Sequence, residues 1–219
     1  MKKAILLLLG IGLFIFSMAQ PKNGLTKSDA AAKTILDGIS TKFKGFKSFQ
    51  ANFLLQIENA NGKSMGSKTG TVLMKGMKYK INVPGQEIFS DGTNIWTYEK
   101  GANEVTITRL DPTANSITPQ KLFTNFYDKD FLYKLNGEVK NGSKKYQEIE
   151  LTPIDKNKPF HKVLLHIDKA MIYVTKVFEK SGNRYTYSIS NLNSATVIPD
   201  QSFVFDVKKY KGVEVVDLR

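Results

Sequence analysis

The sequence contains no cysteine, one tryptophan and two histidines. Without Cys there is no disulfide, no thiolate metal site and no thiol nucleophile, and no lipid can be attached through a Cys at a processed N-terminus. The two histidines leave little room for imidazole chemistry. His161 and His166 are five apart on an expected strand, so the alternation of side chains sends them to opposite faces and away from a shared metal. Neither belongs to a nucleophile elbow, and no phosphate-binding glycine loop or calcium loop occurs. Asp128 and Asp130 suit a solvated turn better than paired acid–base chemistry. The sequence therefore assigns no catalytic residue, no metal and no cofactor, and it reads as a non-enzyme.

A second scarcity is of long apolar runs. The only one lies at the start, from Ala4 to Phe16 behind the basic Met1-Lys2-Lys3. A helix of that run covers roughly 20 Å at 1.5 Å per residue, short of the roughly 30 Å hydrocarbon core. Ser17 and Ala19 set small residues before a cut at Gln20, which completes the three-part pattern of a secretory signal peptide. Residues 1–19 are expected to be removed, leaving residues 20–219 as one soluble exported domain. Loss of Lys2 and Lys3 lowers the formal charge from +12 to +10. Export argues against nucleic acid as the partner of that charge, and the lysines are scattered rather than gathered in one stripe.

Past the leader the pattern is periodic. Thr26 and Asp29 resemble a capped helix start, and Ala31, Ile35, Leu36, Ile39 and Phe43 then recur at helical spacing until Gly45. The period changes to two at Phe49, Ala51, Phe53, Leu55 and Ile57. Further strands are expected near 69–75, 77–83, 86–90, 94–99 and 104–110, then 131–139, 144–152, 161–168, 171–179, 184–192 and 202–207. Asn61-Gly62, Asp91-Gly92 and Asn141-Gly142 mark tight turns between them, which favours hairpins over helical crossovers. Between the two strand groups, Leu122, Phe123 and Phe126 are spaced to line a short helix. The expected fold is mainly β with two helices (α+β). About 11 antiparallel strands would form a strongly curved open half-barrel whose helices act as a lid over a hydrophobic cavity. Segment 94–98 carries Ile95 on one face and Trp96 and Tyr98 on the other, so something must cover the second face as well.

Several runs carry a family likeness. Ser90-Asp91-Gly92 through Trp96 and Tyr98, followed by Asn103-Glu104-Val105-Thr106-Ile107, resembles a strand–turn–strand signature of the LolA-like periplasmic lipoprotein carriers, relatives in architecture of the LolB receptor lipoproteins. Phe49-Gln50-Ala51-Asn52-Phe53 is similar to that family's first strand. Gly70–Lys75, Leu151-Thr152-Pro153 and Phe203-Val204-Phe205 match it more weakly, in the same order. The resemblance implies a soluble monomer in the periplasm of a Gram-negative bacterium. It would shield the acyl chains of lipoproteins between an inner-membrane release complex and an outer-membrane receptor. The absence of Cys favours the carrier over the lipid-anchored receptor. Binding of another hydrophobic ligand or envelope lipid stays open as the alternative.

Family position or strand register places Phe49, Phe53, Met74, Ile88, Trp96 and Tyr98 near the cavity or its lid, and local helical spacing adds Leu122, Phe123 and Phe126. There is one departure. Where the family usually carries a Lys-Arg-Pro run, this chain reads Lys75-Gly76-Met77, so the Arg implied to hold the lid is absent at Gly76. Lys75 and Lys78 are the nearest cations, but neither has the planar fork of Arg.

Overall fold

A computed structural model describes residues 25, 27–111 and 127–219. Helix α1 (Ala30–Lys44) starts at Asp29, whose side chain accepts a hydrogen bond from the Ala31 N–H at 2.8 Å. The other oxygen of that carboxylate accepts from the Leu135 N–H at 3.2 Å, and the Asp29 N–H donates to the Tyr133 carbonyl at 2.9 Å. One residue thus caps the helix and fastens it to the sheet. These amide donors hold its carboxyl below the usual range. Thr26 lies outside the described residues. The buried stripe of α1 is Ala32, Leu36, Ile39 and Phe43, so the helix is rolled by one residue at its start relative to the expected Ala31 register.

The strands form two meanders. The first runs through β1 (Phe49–Glu58), β2 (Ser64–Lys75), β3 (Lys78–Val83), β4 (Gln86–Ser90), β5 (Asn94–Glu99) and β6 (Glu104–Arg109). After a four-residue helical turn, α2 (Tyr127–Asp130), come β7 (Phe131–Asn141), β8 (Lys144–Pro153), β9 (Phe160–Asp168), β10 (Met171–Glu179) and β11 (Arg184–Asn193). β1 and β11 pair antiparallel and join the meanders into one sheet. A short β12 (Glu214–Asp217) then adds parallel to β6. The final order is β12-β6-β5-β4-β3-β2-β1-β11-β10-β9-β8-β7.

This architecture corrects the expected half-barrel. Among the described residues the sheet has 12 strands and mixed pairing; it does not close, and it is not strongly curled. Segment 202–207 is not a strand either: a 3-10 turn spans Asp200–Phe203, and a second spans Val207–Lys209. The expected helix over Leu122, Phe123 and Phe126 falls outside the described residues.

The physical reason for the correction lies in how the apolar surface is covered. Cross-strand pairs lead from Phe49 to Met74, Tyr79, Ser90 and Ile95, all on one face. That face carries the main core, with Ala51, Val72, Ile149, Leu151, Val163 and Leu165, and α1 packs its stripe against it. Trp96 follows Ile95 and therefore points to the opposite face. There Phe89, Trp96, Tyr98, Val105 and Ile107 form a second core beneath Phe205, with Tyr210 and Val213 packed beside it. Over β4–β6 the apolar surface of the second face is thus covered by the C-terminal segment, with no need for the sheet to fold over on itself there.

Candidate functional site

Where α1 ends, the chain turns back into β1 with a phenylalanine at every third position. Phe43 and Phe46 meet edge to face with ring centroids 5.3 Å apart, Phe43 and Phe49 at 5.4 Å, and Phe46 and Phe49 at 6.1 Å. Edge-to-face packing gives these rings a preferred geometry beyond simple burial. They wall a cavity of about 260 Å³ whose lining also includes Lys44, Ser48, Met74, Gly76 and Met77. Met74 stands opposite Phe49 in the β1–β2 register. A neighbouring cavity of about 500 Å³ shares Phe46 and Ser48 and continues along Lys47, Lys75 and residues 194–198.

The nine residues expected at the site divide into four groups. Phe49 and Met74 line the aromatic pocket. Phe53 and Ile88 are partly buried against the same core, on the same sheet face. Trp96 and Tyr98 belong to the second core on the other face. Leu122, Phe123 and Phe126 lie outside the described residues. Sequence reasoning missed Phe46 and Met77. The triplet spacing of Phe43, Phe46 and Phe49 was the available signal, obscured because it crosses from helix to strand.

Phe53 owes its place to a missing side chain. It pairs with Gly70, where an added Cβ would lie 2.5 Å from the Asn82 carbonyl oxygen and 2.6 Å from the Phe53 ring. A larger cavity of about 600 Å³ touches Phe53 and Val83, but Asn52, Thr69, Thr71, Asn82, Lys100 and Ser190 supply much of its wall. An acyl chain there would desolvate amides and hydroxyls without replacing their hydrogen bonds, so size alone does not make it the better apolar site.

The Ser90-Asp91-Gly92 run is a turn. Asp91 Oδ1 accepts from the N–H groups of Thr93 at 2.8 Å and Asn94 at 2.7 Å, and Ser90 Oγ accepts from the Gly92 N–H at 3.2 Å. Gly92 has φ +93°, and a Cβ there would lie 3.1 Å from Met77 Cβ. The signature thus sets the β4–β5 hairpin and presses it against the β2–β3 turn beside the pocket.

Gly76 occupies the first position of that two-residue β2–β3 turn, with φ +57°. This is the geometry of a hairpin turn that favours glycine. Lys75 and Lys78 flank it and both reach Asp200, at 2.9 and 3.2 Å. Lys75 also donates to the Ile198 carbonyl at 3.3 Å. These cations therefore fasten the C-terminal segment rather than α1.

The histidines do not meet. His161 is exposed beside Phe178, whereas buried His166 faces Glu148 at 3.0 Å. Among the described residues no three His, Cys, Asp or Glu side chains gather as a metal site.

Walls of Phe and Met with a lysine at the rim make this pocket the apolar candidate site. The family model described as "Outer membrane lipoprotein carrier protein LolA" matches residues 44–206, and the chain belongs to that family. The outer-membrane lipoprotein carrier protein of Pseudomonas putida is 26% identical over 179 residues, covering 78% of this chain and 80% of its own length. The protein of the same description from Cupriavidus taiwanensis is 24% identical over 221 residues, covering 99% of both. Among solved structures, an uncharacterized conserved protein from Thermus thermophilus is similar in fold, with TM-score 0.57 and 14% identity over 85% of this chain and 99% of that one. Membership makes the protein a non-catalytic, periplasmic lipoprotein carrier.

Proposed function

We propose that the protein shuttles lipoproteins across the periplasm with their acyl chains held at the α1 face of the sheet, entering through the Phe43–Phe46–Phe49 pocket. The observation that carries the site is that pocket, apolar-walled and open where α1 meets β1 and β2. Phe49 and Met74 at the pocket, and Phe53 and Ile88 beyond it, lie on that face and pack with one core. Removal of residues 1–19 would release the carrier, an inner-membrane complex would load it and an outer-membrane receptor would unload it.

Magnitudes favour reversible loading. At about 260 Å³ the pocket is smaller than the roughly 300–1,000 Å³ typical of ligand sites. Fuller burial of cargo requires the stripe of α1 to give way. Leu36, Ile39 and Phe43 each contribute about 1.5–3 kcal/mol by burial, and an acyl chain contributes about 0.8 kcal/mol per CH2. Roughly six to eleven buried CH2 groups therefore balance the three side chains. An exchange so nearly matched can run in both directions, as a carrier must.

Native mass spectrometry with a triacylated lipoprotein tests the role. A one-to-one complex that keeps the lipoprotein from aggregating is expected. Failure to hold acylated cargo, alongside retention of a free envelope lipid, would overturn lipoprotein carriage in favour of lipid binding.

A further inference from the structure

The rim of the aromatic pocket has features that holding cargo does not require. Val197 is 91% exposed and Met77 51% exposed, although both are large and apolar. Scattered exposed apolar residues are ordinary, but these two stand at adjoining cavities that share Phe46 and Ser48. Three lysines line the same two cavities, Lys44, Lys47 and Lys75, and no acidic residue does. Lys44 and Lys47 are exposed and make no ion pair among the described residues. Asp200 is held by Lys75 and Lys78, and Asp37, whose carboxyl feels the charge of Lys44, is held by Lys33 and Tyr127.

We propose that this rim is a docking surface for a bilayer containing anionic phospholipid, so that the pocket opens against the headgroup layer. Val197 and Met77 would enter the headgroup–acyl boundary, and Lys44 and Lys47 would lie along the phosphates with their methylene stems against the apolar part. A protein partner of fixed shape would call for a complementary groove around Val197. A side chain 91% exposed instead projects from the surface, which suits a fluid layer. Each lysine brought near an anionic surface raises partitioning roughly fivefold, whereas two apolar tips alone hold only weakly. Docking is therefore expected to be reversible, salt-sensitive and dependent on anionic lipid. The proposal rests on the carrier reading for the use of the contact but not for its existence.

Vesicle flotation of the purified protein tests it, using equal parts phosphatidylglycerol and phosphatidylcholine against phosphatidylcholine alone. Binding is expected only with the anionic vesicles, and about 0.5 M salt should release it. Lys44→Glu/Lys47→Glu is expected to weaken binding by at least tenfold, roughly the loss of two lysine contacts, and Met77→Ser/Val197→Ser by about threefold. Lys140→Glu/Lys144→Glu, an equal charge change on the β7–β8 hairpin, should leave binding within about twofold of the unaltered protein. Equal loss from both charge pairs would reduce the effect to general basicity and overturn the proposal, as would no binding to anionic vesicles. Capture of soluble acidic protein by the rim without vesicle binding would overturn it in favour of a protein contact. Lipoprotein capture measured without vesicles separates the two ideas: a failed carrier role abolishes capture and leaves flotation intact, whereas a failed docking surface does the reverse.

Discussion

Lys75 Nζ lies 2.9 Å from Asp200 Oδ1, an ion pair that ties the turn beside the apolar pocket to the segment covering the opposite sheet face. Lys78 reaches the second oxygen of the same carboxylate at 3.2 Å. Hydrogen bonds from Lys75 and then Lys78 lower the Asp200 pKa from 3.8, with their charges adding to the effect. The carboxyl is exposed, so its contribution is local rather than global. A depressed carboxylate stabilises above its unfolded value and loses that contribution as pH falls through the folded one. Asp200→Asn is expected to speed protease cleavage between residues 194 and 204 several-fold at neutral pH while leaving the melting temperature nearly unchanged. The difference from the unaltered protein should vanish below the lowered pKa. Equal cleavage rates at neutral pH would show that the pair restrains nothing.

Restoring the missing arginine offers a second test. Gly76 has φ +57°, and no atom lies within 4 Å of an added Cβ, so the obstacle is backbone conformation rather than space. Gly76→Arg is expected to destabilise by about 1–3 kcal/mol in urea unfolding, the range for a side chain in a sparsely populated region. Unchanged stability together with tighter retention of cargo would mean that the turn can change type and that the family arginine works here after all.

The single tryptophan reports on the second core. Trp96 is 9% exposed and packs in the cluster that Phe205 completes, on the face away from α1. Its emission is expected to stay constant when a non-fluorescent acyl ligand fills the pocket and to move to the red in Phe205→Ala. A shift on ligand binding with no response to Phe205→Ala would reverse the assignment of faces.

The same residue shows what the sequence could and could not disclose. Alternation and Gly-containing turns located β1 and β3 to β11 to within about two residues because both signals are local, but β2 begins at Ser64, five residues before the expected 69. The two-faced apolar segment around Trp96 announced that a cover was needed, but the cover comes from Phe205, Tyr210 and Val213, more than a hundred positions away. No period relates such distant residues. The alternation across segment 202–207 also misled: Phe203 and Phe205 are buried as in a strand, yet Phe203 ends a 3-10 turn and Val204 bonds back to Gln201. At the pocket, Phe49 and Met74 were legible from strand register, whereas Phe46 belongs to neither helix nor strand, and its triplet spacing with Phe43 and Phe49 matches the period of neither.

Alkaline titration probes that distant cover. Burial first, then the charge and hydrogen bond of Glu87, push the Tyr210 phenol from 10.0 up to about 12. Its hydroxyl donates to Glu87 Oε2 at 3.3 Å, and Lys80 and Lys100 pair with the same carboxylate at 3.0 and 2.9 Å. A raised folded pKa gives stability that is complete below the unfolded value and lost as pH rises, so stability should fall between about 10 and about 12. Burial also raises Tyr79 and Tyr187, so the slope belongs to several phenols. Tyr210→Phe should flatten it measurably in urea melts at stepped pH. An unaltered slope would place Tyr210 in solvent.

Leu36 tests whether the α1 stripe and an acyl chain compete for one surface. It is 2% exposed at the middle of the helix, between Ala32 and Ile39 in the main core. Leu36→Ala is expected to cost about 2–5 kcal/mol, the range for truncation in a core that relaxes only in part. If α1 merely completes the core, the loss of stability is the whole effect, and an acyl probe binds no better than before. If cargo takes the place of the stripe, the free state loses burial that the loaded state never had, and the balance moves toward loading. Fluorescent fatty-acid titration of Leu36→Ala should then show affinity raised by at least about tenfold, the equivalent of about 1.4 kcal/mol of the lost burial. Val105→Ala supplies the comparison, since Val105 is fully buried in the second core and its truncation weakens the protein without touching the α1 face. Equal gains from both variants would attribute the binding to general loosening and remove α1 from the exchange.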